Sequence, residues 1–267
     1  MGVQVKLNNK VAIITGGTSG IGKAIAKDYV KQGAKVVIVG RNEEKGQKAV
    51  DEINNVFKEK DKVFYIKADV SLKDEVAYMI RGTINIYKKI DILVNNAGII
   101  WQSNIVDLEE KDWDRVININ LKGCFLCCQA VAKKMIEQGS GGKIINVSSI
   151  HAQLSEPGAG PYTASKGGIE AFSRTLATEL APYKINVNVI EPGATYTELT
   201  APMYTEAVKK ALYQRITLKE IAKPEMISPT AVFLASDDSY YITGQVIVVD
   251  GGYVMDGSLP GAKYWSK

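Results

Sequence analysis

Val11-Ala12-Ile13-Ile14-Thr15-Gly16-Gly17-Thr18-Ser19-Gly20-Ile21-Gly22 decides how this chain is read. Four consecutive apolar residues and a threonine run straight into a glycine-rich turn. Behind the turn a 3.6-residue apolar periodicity starts at Gly20 and continues to Gln32. An apolar run without alternation is the pattern of a strand buried on both faces, as in a parallel sheet. Strand, glycine turn, helix is also the geometry of a phosphate cradle. The glycines let the backbone approach a pyrophosphate, and the helix N-terminus offers unpaired N–H groups and the positive end of its dipole. Gly16, Gly20 and Gly22 are spaced Gly-x-x-x-Gly-x-Gly, which is not the commoner dinucleotide spacing Gly-x-Gly-x-x-Gly.

The same rhythm continues outward from this turn. Lys35–Val39, Val63–Lys67, Asp91–Val94, Lys143–Val147, Ile185–Ile190 and Val246–Val249 read as further strands, with helical stretches such as Asp112–Glu137 between them. Repeated β-α-β order predicts an α/β protein with a doubly wound Rossmann-type fold, its mainly parallel seven-stranded sheet flanked by helices. No linker-like stretch divides the 267 residues, so residues 1–267 are read as a single cofactor-binding and catalytic domain. Only Thr195–Lys223 breaks the rhythm. It reads as a candidate substrate lid over residues 195–223, or as extra helices packed on the sheet edge.

Composition excludes several function classes. A hydrophobic fraction of 46% with 23% charged residues is ordinary for a globular chain and excludes disorder. The net charge of +4 is too small and too dispersed to imply nucleic acid or a membrane surface. One histidine, His151, leaves no two-imidazole metal site, so no metal is expected. Cys124, Cys127 and Cys128 lie within five positions, build no disulfide framework and suit a reducing cytoplasm. Their i, i+3, i+4 spacing inside an apolar helix reads as packing rather than as a redox motif. No apolar h-region or membrane-length run is visible.

Tyr162 and Lys166 carry the chemistry. Four apart on a helix, they share one face. A tyrosine with a pKa near 10 is a poor base at neutral pH, and a neighbouring ammonium would lower it. Such a pair manages the hydroxyl proton of a carbinol without a metal. Ser148 and Ser149 leave the end of the Lys143–Val147 strand, where open α/β sheets bind ligands, and one hydroxyl there can orient a substrate oxygen.

These features together resemble the short-chain dehydrogenase/reductase family, from Lys10 to about Val254. The variant glycine spacing, Asn95-Asn96-Ala97-Gly98, Tyr162-x-x-x-Lys166 and Pro192-Gly193 with Thr197 all match its motifs. The resemblance implies an NAD(P)-dependent oxidoreductase that moves a hydride between a nicotinamide and a secondary alcohol or carbonyl. The family's catalytic serine lies thirteen residues before its tyrosine, which selects Ser149, and Asn120 matches its helix asparagine. Cofactor contacts are implied for Gly16, Thr18, Ser19, Gly20, Ile21, Gly22, Arg41, Asp69, Val70, Asn96, Ala97, Gly98, Tyr162, Lys166, Pro192, Gly193 and Thr197. Arg41 stands where an acidic residue would meet a ribose 2′-hydroxyl, which favours NADP and leaves NAD open.

The stretch around Ser149-Ile150-His151 and the tail through Gly261-Ala262 resemble glucose 1-dehydrogenases of the family. A sugar or polyol such as glucose is therefore the expected small-molecule substrate, with His151, Trp101 and Tyr196 as candidate contacts. A 3-oxoacyl-thioester (acyl-carrier-protein) reductase or a general carbonyl reductase is the alternative. It would want a basic patch, for which Lys209, Lys210 and Arg215 are candidates beside Glu206. A nicotinamide-binding regulatory protein is the non-enzyme alternative. The family pairs helices across subunits, which implies a homotetramer.

Overall fold

The computed structural model describes residues 5–57 and 62–257. Among the described residues there are seven strands: β1 (Val11–Thr15), β2 (Lys35–Gly40), β3 (Val63–Lys67), β4 (Ile92–Asn95), β5 (Gly142–Val147), β6 (Ile185–Pro192) and β7 (Val246–Val249). They form one sheet of order β3-β2-β1-β4-β5-β6-β7, and every pairing is parallel. The chain winds outward from β1 to β3 and returns to start β4 on the other side of β1. The C-terminal ends of β1 and β4 thus flank a topological switch point, where a crevice opens.

The uninterrupted apolar runs are explained by two cores. Successive residues of a strand face opposite sides of the sheet. Ile13, Val37, Leu93 and Ile144 enter one buried cluster with Cys124, Cys127, Val131 and Ile169. Ala12, Ile14, Val36, Ile38 and Ile145 enter the other with Ile25, Tyr29, Ile53 and Ile227. Helices α1 (Gly20–Lys31), α2 (Glu43–Phe57) and α8 (Pro224–Ala235) supply the second cluster; α3 (Lys73–Tyr87), α5 (Gly123–Gln138) and α6 (Gly160–Leu180) supply the first. All three cysteines are buried and free, as packing residues. Burial drives the Cys127 and Cys128 thiols far above their usual range, so neither is poised as a nucleophile.

The helix expected over Asp112–Glu137 is three pieces. It begins as α4 (Glu110–Ile117), widens into one π-helical turn at Asn118–Lys122, and resumes as α5. Such widened turns are uncommon and often sit at functional sites. The turn aims the Asn120 side chain at Ile99 and at Ser165 of α6. The long segment after β6 contains a short 3₁₀ turn at Ala201–Met203 and the helix α7 (Glu206–Arg215). Residues of this segment, among them Leu199, Met203, Tyr204, Val208 and Leu212, wall the cleft described next, and α7 buries none of its side chains.

Candidate active site

The cleft at the C-terminal edge of the sheet has a volume of about 1300 Å³. One end is the glycine turn. Gly16 has φ +63° and Gly20 φ +51°, the left-handed region that favours glycine. A Cβ on Gly16 would lie 2.8 Å from Asn96 Nδ2. Asn96 Nδ2 itself donates to the carbonyls of Thr15 and Gly16, both at 3.1 Å. Thr15 Oγ1 accepts from the N–H groups of Asn96 and Ala97, also at 3.1 Å. The two turns after β1 and β4 are therefore stitched together, and both face the cleft. Ser19 caps α1 without a side-chain bond, so the first N–H groups of that helix stay available for an anion. This cradle, which side chains at the glycines would fill, fits a dinucleotide diphosphate.

Arg41 follows β2 at the mouth of the cleft, with Nη1 3.6 Å from Asp69 Oδ2. Burial works to raise the Asp69 carboxyl, but hydrogen bonds from Ser71 and the Arg41 charge outweigh it and leave it below the usual range. Asp69 also accepts from Ser71 N at 2.9 Å, so it shapes the turn before α3 while holding Arg41. It is not the cap of α3, whose N-cap is Leu72. Val70 is buried against the neighbouring Gly123. Lys45, four residues after Arg41, also lines the mouth and meets Glu198 of the opposite wall at 2.8 Å. Sequence reading passed over Lys45; its signal was its place one turn beyond Arg41 on α2.

Ser149, Tyr162 and Lys166 converge on the cleft floor, delivered by the end of β5 and by α6. Ser149 Oγ accepts the N–H of His151 at 3.2 Å, and the Ser149 hydroxyl works against the rise in the Tyr162 pKa. Lys166 is 5% exposed; its Nζ donates to Val147 O at 2.8 Å and lies 5.5 Å from the Tyr162 ring centroid. Burial dominates both titrations. It pushes the Tyr162 phenol up to about 12, against the Ser149 bond, with Glu156 adding to the rise. It pulls the Lys166 ammonium down to about 8. The expected lowering of the Tyr162 pKa by Lys166 is not seen: burial of the phenol dominates, and Lys166, whose ammonium donates to the Val147 carbonyl, is not among the groups that shift it. Asn120, 1% exposed, lies behind this group and holds the Ile99 backbone with Oδ1 and Nδ2 at 2.9 and 3.0 Å.

Pro192, Gly193 and Thr197 line the cleft beside Tyr162, as do Thr18, Ser19, Ile21, Ala97 and Gly98. Gly22 lies under the turn rather than on the cleft wall. The far wall is apolar, with Leu199, Met203, Tyr204, Val208 and Leu212 from the segment after β6. Against it stands a polar pair, His151 Nε2 to Glu156 Oε2 at 3.3 Å, with the His151 ring edge-on to Tyr162. Two expected substrate contacts turn elsewhere. Trp101 is 38% exposed and outside the cleft, while its neighbours Ile100 and Gln102 line it. Tyr196 faces Tyr204 and the Lys209 ammonium, away from the cleft. In both cases the neighbour in sequence takes the inward position. Gly261 and Ala262 lie outside the described residues.

Comparison with known proteins agrees with this geometry. A family model described as enoyl-(acyl carrier protein) reductase matches residues 16–254. The chain is 40% identical to a 3-oxoacyl-(acyl-carrier-protein) reductase of Thermotoga maritima, over 94% of this chain and 100% of that protein. It is 41% identical to the (2S)-[(R)-hydroxy(phenyl)methyl]succinyl-CoA dehydrogenase subunit BbsD of Thauera aromatica, over 94% of this chain and 98% of that one. Among solved structures, a short-chain type dehydrogenase/reductase from Mycobacterium marinum superposes with a TM-score of 0.89 at 35% identity, covering 95% of this chain and 98% of that one. A protein of Agrobacterium tumefaciens provisionally described as a gluconate dehydrogenase gives a TM-score of 0.90 at 33% identity, covering 97% of this chain and 100% of that one. The chain belongs to the short-chain dehydrogenase/reductase family, as an oxidoreductase that interconverts CH–OH and keto groups with a nicotinamide cofactor.

Proposed function

We propose that this enzyme is an NADPH-dependent reductase of a 3-oxoacyl thioester or closely related β-keto compound. The observation that carries the reading is the convergence of Ser149, Tyr162 and a buried Lys166 on the floor of a cleft with an apolar far wall. A phenol held neutral is a proton donor, as a ketone reduction needs. Ser149 orients the carbonyl oxygen and Tyr162 delivers the proton to it. Lys166 supplies positive charge next to the developing alkoxide. Asn120 holds the floor of the site. The dinucleotide, when bound, supplies the hydride. Its diphosphate would rest on Gly16, Thr18, Ser19, Gly20 and Ile21, and its nicotinamide end near Pro192, Gly193 and Thr197. Arg41 and Lys45 offer two cations to a 2′-phosphate, which supports NADP over NAD. The apolar wall from the segment after β6 suits an acyl chain, and relatives at 40 and 41% identity bear names of thioester chemistry.

A second reading, oxidation of a sugar or polyol such as glucose, is favoured by the polar His151–Glu156 pair on the opposite wall. One assay separates the two. Purified enzyme is given NADPH with acetoacetyl-CoA, or NADP with glucose and gluconate, and the reduced nicotinamide is followed by absorbance. Consumption of NADPH with the thioester and no reaction with the sugars is expected. The reverse pattern establishes the polyol reading, and no reaction with either overturns both.

A further inference from the structure

Two carboxyl side chains lie beneath the cleft floor without a part in the chemistry above. Glu170 of α6 accepts the Ser148 hydroxyl at 2.8 Å, which ties the end of β5 to that helix. Glu191 is the less expected of the two. It is fully buried, on β6 immediately before Pro192, with which that strand ends. Its Oε2 accepts from Gln153 Nε2 at 2.6 Å, while its Oε1 is buried with no hydrogen-bond partner. A buried acid with half its acceptors unmet is an expensive way to fill space.

Its bond spans a junction. Gln153 closes the single 3₁₀ turn that Ser149 opens: His151 N donates to Ser149 Oγ, and Gln153 N donates to Ile150 O at 3.1 Å. Across from it, β6 runs directly into the loop that lines the cleft with Pro192 and Gly193. Backbone bonding between the two sides stops at Ser148 N to Ile190 O, 2.8 Å long. Beyond that point the Gln153–Glu191 bond links the two segments.

We infer that Glu191 is a positioning residue whose bond to Gln153 fixes the Ser149 turn against the Pro192-Gly193 loop, and so seats the nicotinamide end of the cofactor. The inference rests on reading that end of the cleft as the nicotinamide site. Glu170 from α6 and Asp250 from the turn after β7 face the same carboxyl. Burial together with these two acids raises it to about 7, against the Gln153 bond. Oε2 can accept from Gln153 whether or not the acid is ionised.

The test uses NADPH and adenosine 2′,5′-bisphosphate, which carries only the adenosine end of the cofactor. Both are titrated calorimetrically into the full-length wild type and into Glu191→Leu, Gln153→Leu, the double variant and Glu191→Gln. Each single leucine variant is expected to weaken NADPH about tenfold and to leave the bisphosphate within about twofold. The double variant is expected to be no weaker than either single one, because both remove the same bond. Glu191→Gln, which still accepts from Gln153, is expected to bind NADPH within about twofold of wild type. Unchanged NADPH affinity in the leucine variants, equal weakening of both ligands, or additive losses in the double variant would overturn the inference. If Glu191→Leu fails to fold, Gln153→Leu and Glu191→Gln carry the same outcomes at exposed and conservative positions. A wild type that binds the bisphosphate but not NADPH would overturn the nicotinamide-site reading itself.

Discussion

Tyr162 and Lys166 show at the scale of single residues how burial competes with charge. Their i, i+4 spacing was legible, and it does bring them together on α6. The direction of the phenol's pKa was not, because it depends on how much water each group loses. With Tyr162 at about 12 and Lys166 at about 8, the proposed proton donor and the charge beside it are both protonated at neutral pH. Replacing Tyr162 with Phe should lower kcat for reduction by roughly 10³-fold and leave NADPH affinity nearly intact, as read by steady-state kinetics and calorimetry. The Lys166 ammonium is lost as pH rises through about 8, so the rate of ketone reduction should fall above that point. A pH–rate profile that stays flat to about pH 10 would contradict the role given to Lys166. At the mouth of the cleft, Arg41→Ala combined with Lys45→Ala should weaken NADPH about tenfold or more while sparing NADH. Equal losses for both cofactors in a binding titration would remove the 2′-phosphate argument.

Among the elements, the glycine turn was the most legible because its constraints are local. The positive φ of Gly16 is a consequence of one tight βα turn, whereas the closeness of Asn96, 80 residues on, comes from the pairing of β1 with β4. Gly16→Ala should cost about 1–3 kcal/mol by urea denaturation and weaken NADPH markedly, since the strain falls on the cradle itself. The π-helical turn at Asn118–Lys122 was not legible. Asp112–Glu137 keeps helical periodicity throughout, and one extra residue in a turn leaves no mark on the apolar pattern. What selects the widened turn is contact across the fold, where Asn120 bonds Ile99 and Ser165. The same holds for the segment after β6: its length was visible, but only packing shows that Met203 and Tyr204 line the cleft and Tyr196 does not.

For the whole molecule, Glu191 links pH to stability. Its carboxyl is raised from 4.5 to about 7 on folding, so the folded state binds its proton more tightly. Its contribution is therefore full below about pH 4.5 and lost as pH rises through 7. Glu191→Gln cannot ionise, and should gain stability relative to wild type by no more than about 3 kcal/mol between pH 5 and pH 8 in denaturant melts. Sequence by itself determined what is written in local pattern: the alternation of buried strands and helices, the cradle, and the i, i+4 spacing that joins Tyr162 and Lys166. Each of these depends on residues close in the chain or on regular backbone geometry. Tertiary structure decided which neighbours face the cleft, how far the Tyr162 and Lys166 pKa values move, and that Gln153 meets Glu191. Those depend on groups far apart in sequence that share one dehydrated space, where the loss of water sets the energies.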